Sequence, residues 1–213
     1  MNKQNLCRSA VTLWLWIVLL TACVNTAALA GQNGDARIPG RVISLSPLIT
    51  ETIFLLGAQD LLIANTIYCN VPVAAKTIEK VGSVKQADVE RILSLQPDLV
   101  YTSPLTNRRQ VEQMKRLGLQ VVLVGNPDTF DAMCWSFLKI GTRLGQTGRA
   151  QEMISAATKK VSVISDQIKQ LDKPPVFFQI GMKPLYAVSR QTFMDEYIRL
   201  AGGMNIFSDE RSG

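Results

Sequence analysis

Val89-Glu90-Arg91-Ile92-Leu93-Ser94-Leu95-Gln96-Pro97-Asp98-Leu99-Val100-Tyr101-Thr102 holds a helix, a break and a strand within residues 89–102. Val89 to Leu95 reads as a short helix in which Val89 and Ile92, three positions apart, share one face and Glu90 turns outward. Pro97 lacks an N–H and stops the helix. Leu99 to Thr102 then has the length and the apolar, β-branched character of a strand.

The same alternation extends in both directions. Upstream, Val42 to Leu45 is a strand, Ser46 and Pro47 are good N-cap and first helical residues, the helix ends near Gly57, and Leu61 to Ala64 is a second strand. Downstream, Arg109 to Leu117 is a helix stopped by Gly118, Val121 to Val124 a fourth strand, and Phe130 to Leu144 a further helix. Asp128 and Asp131 flank the start of that helix, where N-capping accounts for them. Strands and helices alternating at this spacing predict a parallel sheet with right-handed crossovers. Ligands in such sheets sit beyond the carboxyl ends of the strands, so the loops 46–50, 66–72, 103–107 and 125–129 are expected along one edge.

Ala150, Met153, Ile154, Ala157, Val161, Ile164, Ile168 and Leu171 form one apolar stripe at helical spacing. A helix from 150 to 171 spans about 33 Å at 1.5 Å per residue, the width of a small domain. Asp172-Lys173-Pro174-Pro175 ends it. A strand over 176–180, another over 185–188 and a helix from Thr192 to Ala201 follow. The expected fold is α/β: a parallel-sheet N-terminal lobe (41–148), a long connecting helix (149–172) and an incomplete second α/β lobe (173–213).

Residues 1–30 are set apart from the rest. Lys3 and Arg8 are their only charges, the apolar run covers 10–24, and Ala28-Leu29-Ala30 ends the segment before a polar linker at 31–40. That is the pattern of a cleaved export signal. Leu20-Thr21-Ala22-Cys23 offers a second processing site, a lipobox that would remove 1–22 and acylate Cys23. Both place the mature chain in the periplasm or on the outer face of a membrane. Loss of Lys3 and Arg8 lowers the formal charge from +6 to +4. No cluster of basic and aromatic residues points to nucleic acid. Cys69 and Cys134 remain in the mature chain, and a disulfide between them is left open.

The chain contains no histidine, which excludes Ser-His-Asp and Cys-His nucleophiles, His-Glu-x-x-His zinc sites and a histidine haem ligand. No dinucleotide, Walker or nucleophile-elbow motif is present. These absences argue against the enzyme classes named, and an exported α/β enzyme of unknown chemistry is kept as one alternative.

Arg41-Val42-Ile43-Ser44-Leu45-Ser46-Pro47 with Thr50-Glu51, Tyr68-Cys69-Asn70-Val71-Pro72, Val81-Gly82-Ser83, the segment 89–100, Phe177-Phe178-Gln179-Ile180-Gly181 and Gly202 to Phe207 resemble the periplasmic binding proteins of cobalamin and ferric-siderophore ABC importers. This is the class with a helical backbone between the lobes, and the cobalamin branch looks nearest. The resemblance implies a non-enzymatic, monomeric receptor. It has no intrinsic cofactor, captures a corrinoid or iron chelate, and delivers it to membrane permease subunits. The ligand-binding candidates are Ser46, Pro47, Tyr68, Val84 and Tyr186. Tyr68 matches an aromatic that contacts ligand from the cleft edge. Val84 stands where the cobalamin binder carries tryptophan, so one flat wall is lost. Glu90 matches the first-lobe glutamate that docks on the permease. By residue type alone, Glu90 reads better as a solvated helix charge, and Tyr68 equally well as a half-buried aromatic. The family continues past Gly213 into the rest of the second lobe, with a second docking glutamate, so a truncated receptor that binds nothing is a further alternative.

Overall fold

The computed structural model describes residues 37–207. The export signal, Cys23, the first part of the 31–40 linker and the final residues 208–213 lie outside the described residues.

Five parallel strands form the first lobe: β1 (Val42–Ser44), β2 (Leu62–Asn65), β3 (Glu79–Lys80), β4 (Leu99–Thr102) and β5 (Val121–Leu123), in the order β3-β2-β1-β4-β5. Alternate side chains of these strands go to opposite faces, and both faces are buried, as an all-parallel sheet requires. Val42, Leu99 and Tyr101 pack with Ile49 and Ile53 of helix α1 (Pro47–Leu55). Ile43 and Val100 pack on the other face with Val89 and Ile92 of α2 (Val89–Ser94) and Met114 of α3 (Arg108–Arg116). The chain steps from β1 to β2 in one direction and from β4 to β5 in the other, so α1 and α3 fall on opposite faces when both crossovers are right-handed.

The next two helices are α4 (Phe130–Arg143) and α5 (Thr147–Ile168). Ile140 and Leu144 complete the first core with Ala150, where α5 begins. An ideal β-carbon on Gly141 would lie 2.7 Å from Cβ of Ala150, so α4 and α5 meet almost backbone to backbone there. The apolar stripe of α5 is used unevenly. Met153, Ile154 and Ala157 face Met133 and Phe137 of α4, whereas Ile164 is exposed.

The second lobe begins with β6 (Pro175–Val176), followed by β7 (Gln179–Met182), β8 (Leu185–Ala187), α6 (Phe193–Leu200) and β9 (Met204–Asn205). The single strand expected over 176–180 is two: β6 pairs in parallel with β9, and β7 forms an antiparallel hairpin with β8. Each half has a different partner, a choice made by tertiary docking and not by the local run of apolar residues. Ile180, Met182, Leu185 and Tyr186 are exposed. Asn205 and Asp195 are buried: Asn205 Nδ2 donates to Asp195 Oδ1 (2.8 Å) and to the Val188 carbonyl (3.0 Å), tying β9, α6 and the end of β8 together.

Candidate functional site

Strand order places a topological switch point between β1 and β4, and the crevice beyond their carboxyl ends is the ligand position such sheets provide. Ser46 and Pro47 follow β1, Tyr68 lies in the turn after β2, and Val84 in the turn after β3, so four of the five ligand candidates share this edge. Tyr186 lies apart, on β8 of the second lobe, and is 60% exposed.

Ser46 occupies the N-cap position of α1 with extended backbone angles, yet its hydroxyl makes no capping bond. Its carbonyl serves instead, accepting from the Thr50 amide (3.0 Å) and from Ser44 Oγ (2.9 Å). Thr50 Oγ1 lies 2.9 Å from Ser44 Oγ and 3.2 Å from Cys69 Sγ, and Thr66 Oγ1 lies 3.2 Å from the same sulfur. Buried Ser44, Thr50, Thr66 and Cys69 are thus paired with one another, whereas the buried Ser103 hydroxyl just after β4 has no partner among the described residues. Cys69 and Cys134 are both free thiols. Burial raises the pKa of the Cys134 thiol, with a smaller contribution from the Asp131 charge.

Apolar groups stand on the loops that leave β2 and β4 at this edge. Ile67, Tyr68, Val71 and Leu105 are all exposed, Tyr68 at 59%. A turn closed by the Cys69 amide on the Thr66 carbonyl (3.0 Å) directs Cys69 inward while leaving Tyr68 outside. Val84 is half-buried.

A cavity of about 820 Å³ opens where the loop after β5 meets the second lobe, lined by Asp128, Thr129, Lys173, Arg190, Glu196 and Arg199 among others. None of the five candidates lines it. The Phe130 amide donates to the Glu196 carboxylate across the lobes, and the Thr129 hydroxyl, not Asp128, caps α4 by accepting from the Ala132 amide (3.0 Å). Asp131 sits in the first turn, where a negative charge complements the helix dipole. Sequence reading missed Lys173, Arg190 and Glu196. Their placement depends on contact between residues 66 apart, as for Phe130 and Glu196, and no local motif signals it.

Glu90 is exposed on α2, with Val89 and Ile92 buried beside it. Its neighbour Arg91 pairs with Glu79, leaving Glu90 in no ion pair among the described residues. Among the described residues no group of three or more acidic or thiol side chains is placed to hold a metal ion. None of the described helices is long and apolar enough to cross a membrane.

A parallel-sheet lobe, a long helix and a second α/β part, with a crevice at the sheet's carboxyl edge, form the architecture that the resemblance to helical-backbone binding proteins implies. Residues 42–213 match the family described as periplasmic binding protein, and the chain belongs to that family. It is 32% identical over 177 residues to the vitamin B12-binding protein of Yersinia pestis (strain Pestoides F), covering 83% of this chain and 63% of that protein. It is 31% identical over 196 residues to the vitamin B12-binding protein of Yersinia pseudotuberculosis serotype O:1b (strain IP 31758), covering 92% and 67%. The chain thus spans about two thirds of the length of these relatives. The crystal structure of the periplasmic vitamin B12 binding protein of Vibrio cholerae superposes with a TM-score of 0.69 at 25% identity, covering 82% of this chain and 69% of that one. A periplasmic heme binding protein from Pseudomonas aeruginosa shares the fold, with a TM-score of 0.71 at 24% identity over 81% and 64% of the two chains. The family and these neighbours are binding proteins, not enzymes.

Proposed function

We propose that this chain is the ligand-capturing part of an ABC importer, taking a corrinoid or an iron chelate at the carboxyl edge of its parallel sheet and carrying out no catalysis. The observation that carries this reading is the set of exposed aromatic and aliphatic side chains, Ile67, Tyr68, Val71 and Leu105, on the loops that leave β2 and β4 at the sheet's carboxyl edge, where buried Ser44, Thr50 and Cys69 are bonded to one another. An exposed tyrosine ring on an ordered turn suits the face of a large, flat, partly apolar ligand. A metal already wrapped in its own chelator needs no protein ligand, which fits a chain without histidine. Relatives named for vitamin B12 and heme support the same ligand size. Val84 gives an aliphatic wall, which favours an iron chelate over cobalamin.

The domain assignment follows: an export segment at 1–30, or 1–22 with acylation of Cys23, then the linker, two lobes and the helix between them. Glu90 on the outer face of α2 serves as the first-lobe contact for permease subunits, with the receptor acting as a monomer.

Isothermal titration of the purified chain with cyanocobalamin, cobinamide, haemin and a ferric siderophore tests the assignment. A dissociation constant of about 1 μM or tighter for one of them is expected. Failure of all four, or tight binding of a free amino acid instead, overturns it. Mass spectrometry of the exported product should find an N-terminus at Gly31 or an acylated Cys23, and an intact Met1 would refute export.

A further inference from the structure

Lys80 carries a charge inside the first lobe that the ligand reading does not use. It stands on β3, half-buried, at the edge of the sheet. Its ammonium donates to Asn65 Oδ1 at 2.6 Å, to the Ala75 carbonyl at 2.9 Å and to the Cys69 carbonyl at 3.3 Å. Asn65 closes the ring by donating from Nδ2 to the same Ala75 carbonyl at 3.0 Å. An ammonium has three donors and no acceptor, so these oxygens account for its full capacity. No carboxylate pairs with it among the described residues.

All three acceptors belong to the stretch from the end of β2 to residue 75, and Tyr68 lies inside that stretch. The segment 66–78 has one short 3₁₀ turn, Val73–Thr77, and no strand pairing of its own. It exposes Ile67, Tyr68, Val71 and Val73 to solvent. Few of its own side chains are buried, namely Thr66, Cys69 and Ala75, with Ile78 packed on the core at its end. It needs polar anchors, and the Lys80 ammonium is bonded to the backbone at two of those buried positions, Cys69 and Ala75.

We propose that Lys80 is a positioning residue: its ammonium orders the 66–78 segment and so fixes Tyr68 before ligand arrives. Its significance for ligand binding rests on the receptor reading above. Its effect on the segment does not. Preorganisation removes an ordering cost that binding would otherwise bear, about 0.5–1.5 kcal/mol per immobilised side chain. That corresponds to about 2- to 12-fold in affinity.

The test compares the full chain with Lys80→Met, Tyr68→Ala and the double variant. Lys80→Gln, which keeps a donor, is a second variant should Lys80→Met not fold. Hydrogen exchange should show amides of 66–78 exchanging at least tenfold faster in Lys80→Met, with β1 and β4 unchanged. Unchanged exchange in 66–78 overturns the proposal whether or not a ligand binds. Cyanocobalamin and haemin should bind Lys80→Met about 3- to 10-fold more weakly, yet in the Tyr68→Ala background the same substitution should cost less than twofold. An equal loss in both backgrounds would show that Lys80 does not act through Tyr68 and would also overturn it. If wild type binds neither probe, the affinity comparison is made with cobinamide and a ferric siderophore; if all four fail, the receptor reading fails and the exchange data alone decide the role of Lys80.

Discussion

Replacing Gly141 by alanine puts a methyl group where α4 and α5 come together. An ideal β-carbon there lies 2.7 Å from Cβ of Ala150, 3.2 Å from Cδ2 of Leu56 and 3.3 Å from the Gln146 carbonyl oxygen. Carbon atoms prefer about 3.5–4.0 Å, so the helices must part by roughly 1 Å. They are poorly able to do so, because the Gln146 amide donates to the Gly141 carbonyl at 2.7 Å and the Ala150 amide to the Gln146 carbonyl at 3.0 Å. Overpacking of this kind costs about 1–3 kcal/mol, and the rigid corner argues for the upper end. The better helix propensity of alanine returns about 1 kcal/mol. The expected net loss is about 2 kcal/mol. Ala150→Gly alone should also cost about 2 kcal/mol, from propensity and one lost buried methyl. Combined, the two changes relieve the clash, and the double variant should be within about 1 kcal/mol of wild type. The cycle therefore carries a coupling of about 3 kcal/mol. Urea unfolding monitored by circular dichroism measures all four corners. If Gly141→Ala is more stable than wild type, or the coupling is below about 0.5 kcal/mol, the contact is not as tight as argued.

Three further outcomes follow from the same structure. The Tyr101 hydroxyl is buried without a protein partner among the described residues, and burial pushes its pKa up to about 12 while the Arg143 charge opposes this. An unfolded tyrosine ionises near 10, so the folded state holds its proton longer. Stability is then full below pH 10 and falls by about 2–3 kcal/mol between pH 10 and 12, and Tyr101→Phe should flatten that fall in alkaline urea titrations. Asn205→Ala strips a donor from buried Asp195 and from the Val188 carbonyl, and should cost about 2–4 kcal/mol in urea unfolding. A loss under about 0.5 kcal/mol would mean the second lobe does not depend on this link. Glu90→Ala should leave ligand affinity within twofold but slow association with permease-containing proteoliposomes, more so at low salt. The reason is that an exposed charge steers encounter more than it adds affinity.

Much of the first lobe is legible in the sequence. Helix and strand positions depend on repeats of two to four residues and on local punctuation by proline and glycine. Val89 and Ile92 turn inward with Glu90 outward, and the parallel character of the sheet follows from alternating elements. The stripe on α5 is equally local, and its helix formed with a shift of three residues at each end. Tertiary structure alone decided what depends on distant partners. It set the strand order and hence the switch point between β1 and β4, and it divided 176–180 between two sheets. It also kept Cys69 a free thiol among hydroxyls, brought Lys80 to Asn65 from 15 residues away, and brought Glu196 to the start of α4 from 66 away. A periodic pattern states which face of an element is apolar. Which element covers that face, and which buried polar groups then pair, is fixed only when the packed elements remove the alternatives.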